Sequence, residues 1–246
     1  MSLKAELDLI IAAYKEPISI CMYHTNELFY SHLDHEQLPA ASVIKLAILA
    51  TQLNRQEDLD QVIDVSNTPQ VGGAGVLQLL DQPEWTIKDL LKLMITVSDN
   101  YAANVMIDHL SMATINQWLA QNNYQETQLQ RRLMDTAAVK DGRENVISAA
   151  DALRLFRYLL KTFPQTRNWF LNQQFRGKLP LTMDETATDV QIYNKTGEGP
   201  FVDHDVARFS KNGQSIDVAV LTDGFTDRLA VISMMAEIGQ LIYRAL

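Results

Sequence analysis

Strand-like patterning in this chain is confined to its two ends, and that separation limits the folds open to it. Leu3, Leu7, Ile10, Ile11 and Tyr14 first fall at helical spacing. Pro17 then breaks the pattern, and "ISICMYHTNELFYSHL" reads as two strands reversed at His24-Thr25-Asn26-Glu27. Nothing comparable recurs until residue 189. There "DVQIYNKTG", "DVARFS" and "SIDVAVLTDG" follow one another, and Asn212-Gly213 supplies a two-residue hairpin signal between the last two. The chain closes on a helix from about Thr226, with Leu229, Ile232, Met235, Ile238, Leu241 and Ile242 as its apolar stripe. Strands at both termini must find each other across everything between them. The expectation is an α/β fold of the α+β kind, in which the terminal strands form one antiparallel five-stranded sheet flanked by the first and last helices.

The middle of the chain is helical. A helix is expected from about Ser42 to Gln56, followed by irregular chain over 57–80. "TIKDLLKLMITV" is amphipathic and begins after Thr86; "YAANVMIDHL" follows a break at Ser98-Asp99-Asn100, and "MATINQWLAQN" is a third helix. Residues 125–145 carry many charges and little periodicity, which predicts a long loop. "SAADALRLFRYLLKTF" is a helix capped by Ser148 and stopped before Pro164. Residues 1–246 are thus expected to form one domain with a sheet lobe (1–53 and 189–246) and an all-helical lobe (54–188).

Charge and composition exclude several classes of function. Against 30 Asp and Glu stand 21 Lys and Arg, a net charge of −9 that repels nucleic-acid backbones and anionic membranes. Cys21 is the only cysteine, so no intrachain disulfide or cysteine-based zinc site can form; in "ISICMY" it reads as a small core residue. Gly72, Gly73 and Gly75 fit no phosphate-binding spacing. His32-Leu33-Asp34-His35 and Asp203-His204-Asp205 lack metal-ligand spacing, and Trp85, Trp118 and Trp169 read as packing residues. No metal or cofactor is expected. No apolar run spans a membrane and "MSLKAELDLIIAAYK" does not read as a signal peptide, so the sequence as written is expected in the cytoplasm; a longer precursor would place it in the cell envelope. The expected state is a monomer acting on a small molecule.

Three short motifs carry chemistry. Ser42-Val43-Ile44-Lys45 is S-x-x-K at a helix start, Ser98-Asp99-Asn100 is S-D-N between two helices, and Lys195-Thr196-Gly197 is K-T-G at a strand end. Any one alone is a weak signal and reads first as a cap, a turn or a strand end. Together and in this order they resemble class A β-lactamases and penicillin-binding proteins. "LPAASVIKLAILA", "ITVSDNYAANVMI" and "AEIGQLIYRAL" extend the resemblance over nearly the whole chain, most vaguely at 57–70 and 165–188.

A serine hydroxyl is a poor nucleophile until a neighbour takes its proton. Lys45 can take it only as a neutral amine, a form favoured by burial and by a second nearby cation, for which Lys195 is the candidate. Ser42 at a helix start offers its backbone N–H as half of an oxyanion hole. The resemblance implies that Glu198 supplies the other N–H and that Ser98 relays a proton to the leaving nitrogen. It further implies that Asn100 binds the substrate's amide side chain, and that Lys195, Thr196 and Gly197 form the strand that holds its carboxylate. Asn104 matches an asparagine that helps to hold the site. Arg228 is a candidate for a further carboxylate-binding arginine.

One position departs from the family. Class A enzymes carry a deacylating glutamate in a pattern like T-x-L-x-R-x-E. In "TQLQRRLMD", Thr127, Leu129 and Arg131 match, but Leu133 stands in the glutamate's place. A leucine cannot accept a proton from water. Asp135, two residues on, is the nearest carboxylate and reads better as an ordinary loop residue. Glu144 is expected to pair with Arg131 across the loop's neck. The sequence therefore implies a β-lactamase-like serine hydrolase that acylates Ser42 and deacylates slowly. The alternatives are a penicillin-binding peptidase or esterase, and a β-lactam-binding protein without turnover.

Overall fold

The computed structural model describes residues 2–246. Its elements in chain order are helix α1 (Leu3–Ala12), strands β1 (Ile18–His24), β2 (Glu27–His32) and β3 (Leu38–Pro39), helix α2 (Lys45–Asn54), and strands β4 (Val62–Asp64) and β5 (Glu84–Thr86). Helices α3 (Ile87–Thr96), α4 (Asn100–Leu110), α5 (Met112–Gln121) and α6 (Thr136–Lys140) follow, then β6 (Val146–Ile147), α7 (Ala149–Thr162) and α8 (Gln165–Leu171). Strands β7 (Gln191–Glu198), β8 (Asp203–Lys211) and β9 (Gln214–Thr222) and helix α9 (Arg228–Ala245) complete the chain.

The terminal strands form one five-stranded sheet in the order β2-β1-β9-β8-β7, antiparallel throughout. The two ends of the chain meet where Ile20 pairs with Val220 and Cys21 with Ala219. Asn212 and Gly213 both adopt positive φ, as the tight turn between β8 and β9 requires.

Alternation along the strands divides the interior into two layers. Ile18, Ile20 and Met22 of β1 and Val218 and Val220 of β9 pack with Leu7 of α1 and Met235, Ile238 and Ile242 of α9. Cys21, Val206, Ala219 and Leu221 point to the opposite face and join the core of the helical middle. There α2 is the central element, with every residue from Lys45 to Leu53 buried. Each large apolar side chain withdrawn from water contributes roughly 1.5–3 kcal/mol before conformational entropy is charged against it.

The structure differs from the sequence expectation in its short elements. The chain over 57–80 contains β4, which pairs with β5 in a two-stranded ribbon. The segment expected as a loop over 125–145 contains α6, capped by the Asp135 side chain on the N–H of Ala138 (2.9 Å). Ser42 lies in a 3-10 turn, Ala41–Ile44, that precedes α2, so the α-helix proper starts at Lys45. The last helix starts two residues later than expected, because Asp227 rather than Thr226 accepts its first free amides.

Candidate active site

The 3-10 turn holds Ser42 between the two layers. Ala41 before it has φ 43°, a left-handed conformation that a residue with a Cβ adopts only when its surroundings impose it. Those surroundings are identifiable. Ala40 N–H donates to Asn145 O at 2.7 Å, and β3 pairs with β6. On the other side the turn packs against Gly197 of β7, where an added Cβ would lie 3.1 Å from Val43 Cγ2 and 3.3 Å from Ala40 O. Glycine there permits the strand to come this close to the turn.

One helical turn on from Ser42, Lys45 is buried, with Nζ 3.0 Å from Ser42 Oγ. The same nitrogen lies 2.5 Å from Ser98 O, 3.2 Å from Ser98 Oγ and 2.8 Å from Asn100 Oδ1. An ammonium has three protons for these four oxygens, whereas a neutral amine has two N–H groups and a lone pair. Two carbonyl acceptors and two hydroxyls suit the amine: it donates to Ser98 O and Asn100 Oδ1 and accepts a hydroxyl proton. Desolvation by burial and then the charge of Lys195 both hold Lys45 well below the ordinary lysine pKa, against a smaller opposing pull from Asp99.

Ser98, also at positive φ (52°), lies in the break between α3 and α4. Lys195 Nζ is 2.9 Å from Ser98 Oγ and 2.8 Å from Thr196 O. Burial, followed by the charge of Lys178, brings the Lys195 pKa down to about 7.

Asp99, the middle residue of S-D-N, is fully buried and fixes the far wall. Its carboxylate accepts from the N–H groups of Val76 (2.7 Å), Leu77 (2.8 Å) and Ala102 (2.9 Å). Gly75 crosses so close that a Cβ would come within 2.3 Å of the Asp99 carboxylate, and its φ of 107° further requires glycine. Asn100 Nδ2 donates to Gly72 O at 3.2 Å and its N–H to Ala74 O at 3.0 Å, so the glycine-rich loop is tied to the site on both sides.

A cavity of about 780 Å³ opens beside Ser42, Ser98, Asn100 and Thr196. Leu133, Met134, Val139, Phe175, Pro200 and Phe201 make much of its wall apolar. Leu133 is buried and clamped through its backbone: its N–H donates to Asn104 Oδ1 (2.8 Å), and Asn104 Nδ2 donates to its carbonyl (3.0 Å). The loop neck closes as expected, with Arg131 Nη2 2.6 Å from Glu144 Oε1. Asp135 lines the cavity, but one of its oxygens is engaged in capping α6. Arg228, the first residue of α9, does not line the cavity; it pairs with Glu198 (3.0 Å) and Asp203 (3.4 Å).

Sequence reasoning missed Lys178, which is buried behind K-T-G with Nζ 2.7 Å from Gly197 O, 3.1 Å from His204 O and 3.0 Å from Asp203 Oδ1. It also assigned no role to His204. Its Nδ1 accepts from Thr222 N–H at 3.2 Å, which leaves Nε2 to donate to Pro39 O at 2.7 Å and ties β8 to the segment before Ser42. Burial, aided by the charge of Lys178 and opposed by the hydrogen bond to Pro39, brings the His204 pKa down to about 4. Among the described residues, no cluster of metal-ligating side chains occurs, and no helix is long and apolar enough to cross a membrane.

An antiparallel sheet and a helical layer bringing two lysines onto serine hydroxyls place this chain among the serine hydrolases of the β-lactamase and penicillin-binding-protein type. Comparison with known families makes the assignment specific. The model described as the beta-lactamase enzyme family matches residues 2–246, and the chain belongs to that family. No curated protein matches by sequence. Among solved structures, a β-lactamase from Sphaerobacter thermophilus is 21% identical, with a TM-score of 0.86 over 98% of this chain and 97% of that one. PBP-A is 20% identical, with a TM-score of 0.83 over 99% of this chain and 95% of its own. A leucine-to-glutamate mutant of PBP-A, described as an acyl-enzyme complex with penicillin G, is 19% identical with the same TM-score and coverage. The expected fold class is that of the family.

Proposed function

We propose that the protein transfers the acyl group of a β-lactam or related amide or ester to Ser42 and releases it slowly. Ser42 Oγ attacks the carbonyl carbon while Lys45, as a neutral amine, takes the hydroxyl proton. The resulting oxyanion is held by the backbone N–H groups of Ser42 and Glu198. As the tetrahedral centre collapses, the C–N or C–O bond breaks and the proton held by Lys45 passes through Ser98 to the leaving atom. A serine ester remains, and the apolar cavity wall suits an apolar acyl group.

The 3.0 Å separation of Lys45 Nζ and Ser42 Oγ, inside a buried pair of lysines, is the observation that carries this reading. Deacylation is slow in this account because Leu133 offers no base to the water that must attack the ester. The same residue favours a second reading, a penicillin-binding peptidase or esterase whose natural acyl group leaves to another acceptor. A protein that only binds β-lactams would have no use for the intact Ser42, Lys45, Ser98 and Lys195 set.

Hydrolysis of p-nitrophenyl acetate and of a chromogenic cephalosporin by the wild type and by Ser42→Ala tests the proposal. An initial burst on at least one substrate, absent from Ser42→Ala, is the expected result. Equal activity in the two proteins would overturn it.

A further inference from the structure

Lys178 is buried, and the acyl-transfer steps assign it no task. Its Nζ lies 2.7 Å from Gly197 O, 3.1 Å from His204 O and 3.0 Å from Asp203 Oδ1, with Glu198 Oε1 further off at 3.4 Å. Three close acceptors match the three protons of an ammonium. The backbone beside it is fixed. Leu179 N–H donates to Asp205 Oδ2 at 3.2 Å, and Leu179 O packs so closely on Gly239 of α9 that a Cβ there would lie 1.9 Å away.

The carbonyl of Gly197 and the N–H of Glu198 belong to one planar trans peptide, so they point in opposite directions. Strand pairing shows which way each points. Gly199 N–H donates to Val202 O at 2.9 Å, and hydrogen-bonded pairs recur at every second residue of an antiparallel ladder. Gly197 and His204 are therefore the next such pair, and Glu198, opposite Asp203, turns its N–H away from β8. Strand β7 is an edge of the sheet, so that N–H emerges on the open side, and Glu198 lines the same cavity as Ser42. The ammonium holds the oxygen of this peptide while its hydrogen faces outward.

We infer that Lys178 is a positioning residue for acyl transfer: by donating to Gly197 O it fixes and polarises the Gly197–Glu198 peptide, which strengthens the Glu198 N–H as a donor to the oxyanion formed at Ser42. This inference rests on the reading of Ser42 as the nucleophile with the Glu198 N–H in its oxyanion hole. A hydrogen bond to an amide carbonyl, above all from a cation, draws electron density toward oxygen and makes the N–H of the same peptide more acidic. The gain falls on the transition state, where negative charge develops, rather than on initial binding.

Benzylpenicillin labelled with carbon-13 at the lactam carbonyl gives an ester on Ser42 whose infrared C=O stretch reports the hydrogen bonds it accepts. Lys178→Met alone strands the Asp203 charge, so Asp203→Asn is compared with Lys178→Met/Asp203→Asn. Loss of the ammonium is expected to move the acyl-enzyme band to higher wavenumber. It should also slow Ser42 acylation about three- to tenfold, with the dissociation constant of the preceding complex unchanged. Lys178→Gln, which keeps a neutral N–H donor, should fall between the two and carries the test if the double variant does not fold. A band that stays in place in the variants, or acylation slowed solely through weaker binding, would overturn the inference and leave the Ser42 mechanism standing. Absence of any Ser42 adduct in the wild type would overturn both.

Discussion

Lys45 and Lys195 reach the same hydroxyl from opposite layers of the molecule, the first with Nζ 3.2 Å and the second with Nζ 2.9 Å from Ser98 Oγ. Two amines so close cannot both carry a proton at low energy. The strand lysine thus helps to keep the helix lysine in its basic form, and removing it has a defined consequence. Lys195→Met relieves one of the two effects that lower Lys45, so the acid limb of the acylation pH profile should move up by about one pH unit or more. The rate at neutral pH should fall with it. Acylation rates measured by intact mass between pH 5 and pH 9 test this expectation, and a limb that stays in place would contradict it.

The same burial makes stability pH-dependent. Lys195 titrates near 7 in the folded protein, against an ordinary lysine value of 10.5. Between these values the unfolded chain binds a proton that the folded chain lacks, so stability rises with pH across the window. Below about 7 both states are protonated, and the destabilisation from the buried charge is present in full. Lys45 acts in the same direction. Urea midpoints should therefore increase from pH 7 to pH 9, with a smaller increase in Lys195→Met. A wild-type midpoint that is flat or falling over this interval would contradict the assignment.

Leu133 is held by backbone hydrogen bonds to Asn104, so its side chain can be exchanged without releasing the loop. Leu133→Glu places a carboxylate where water must be activated. Deacylation should accelerate about 100-fold or more, the scale of general-base catalysis. Burying an ionisable group in this apolar wall should lower the melting temperature by roughly 3–8 °C. Stopping the acylation with excess competing ligand and following loss of the adduct measures the first effect; a calorimetric scan measures the second.

Asp99 accepts three backbone N–H groups from a fully buried position. Asp99→Ala leaves those donors without partners and should destabilise the protein by about 3 kcal/mol or more. Because Asn100 is tied to the same loop, acylation should fall as well. Urea denaturation read by fluorescence gives the first quantity and the adduct time course the second.

The sheet was legible because its two ends alternate with period two while the middle does not. Ser42, Lys45, Ser98 and Lys195 stood out for a different reason: each lies in a short motif that can be read locally, and the fold brings the three motifs together. Short elements were hidden. Strands β4 and β5 have three residues each and α6 has five, too few for either period to emerge. Lys178 was hidden more deeply, since nothing in "FRGKLP" indicates that its partners come from residues 197–204, far along the chain. Arg228 was noticed, but only the fold shows that Glu198 and Asp203 have already claimed it.

The central claim is that a buried, uncharged amine at residue 45 arms the hydroxyl of residue 42, and that the ester so formed persists. Peptide mapping of wild-type protein incubated with saturating benzylpenicillin tests it most directly. The account predicts one covalent adduct, on the peptide containing Ser42, surviving for many minutes and lost in both Ser42→Ala and Lys45→Ala. An adduct on another residue, or an undiminished one in Lys45→Ala, would contradict it.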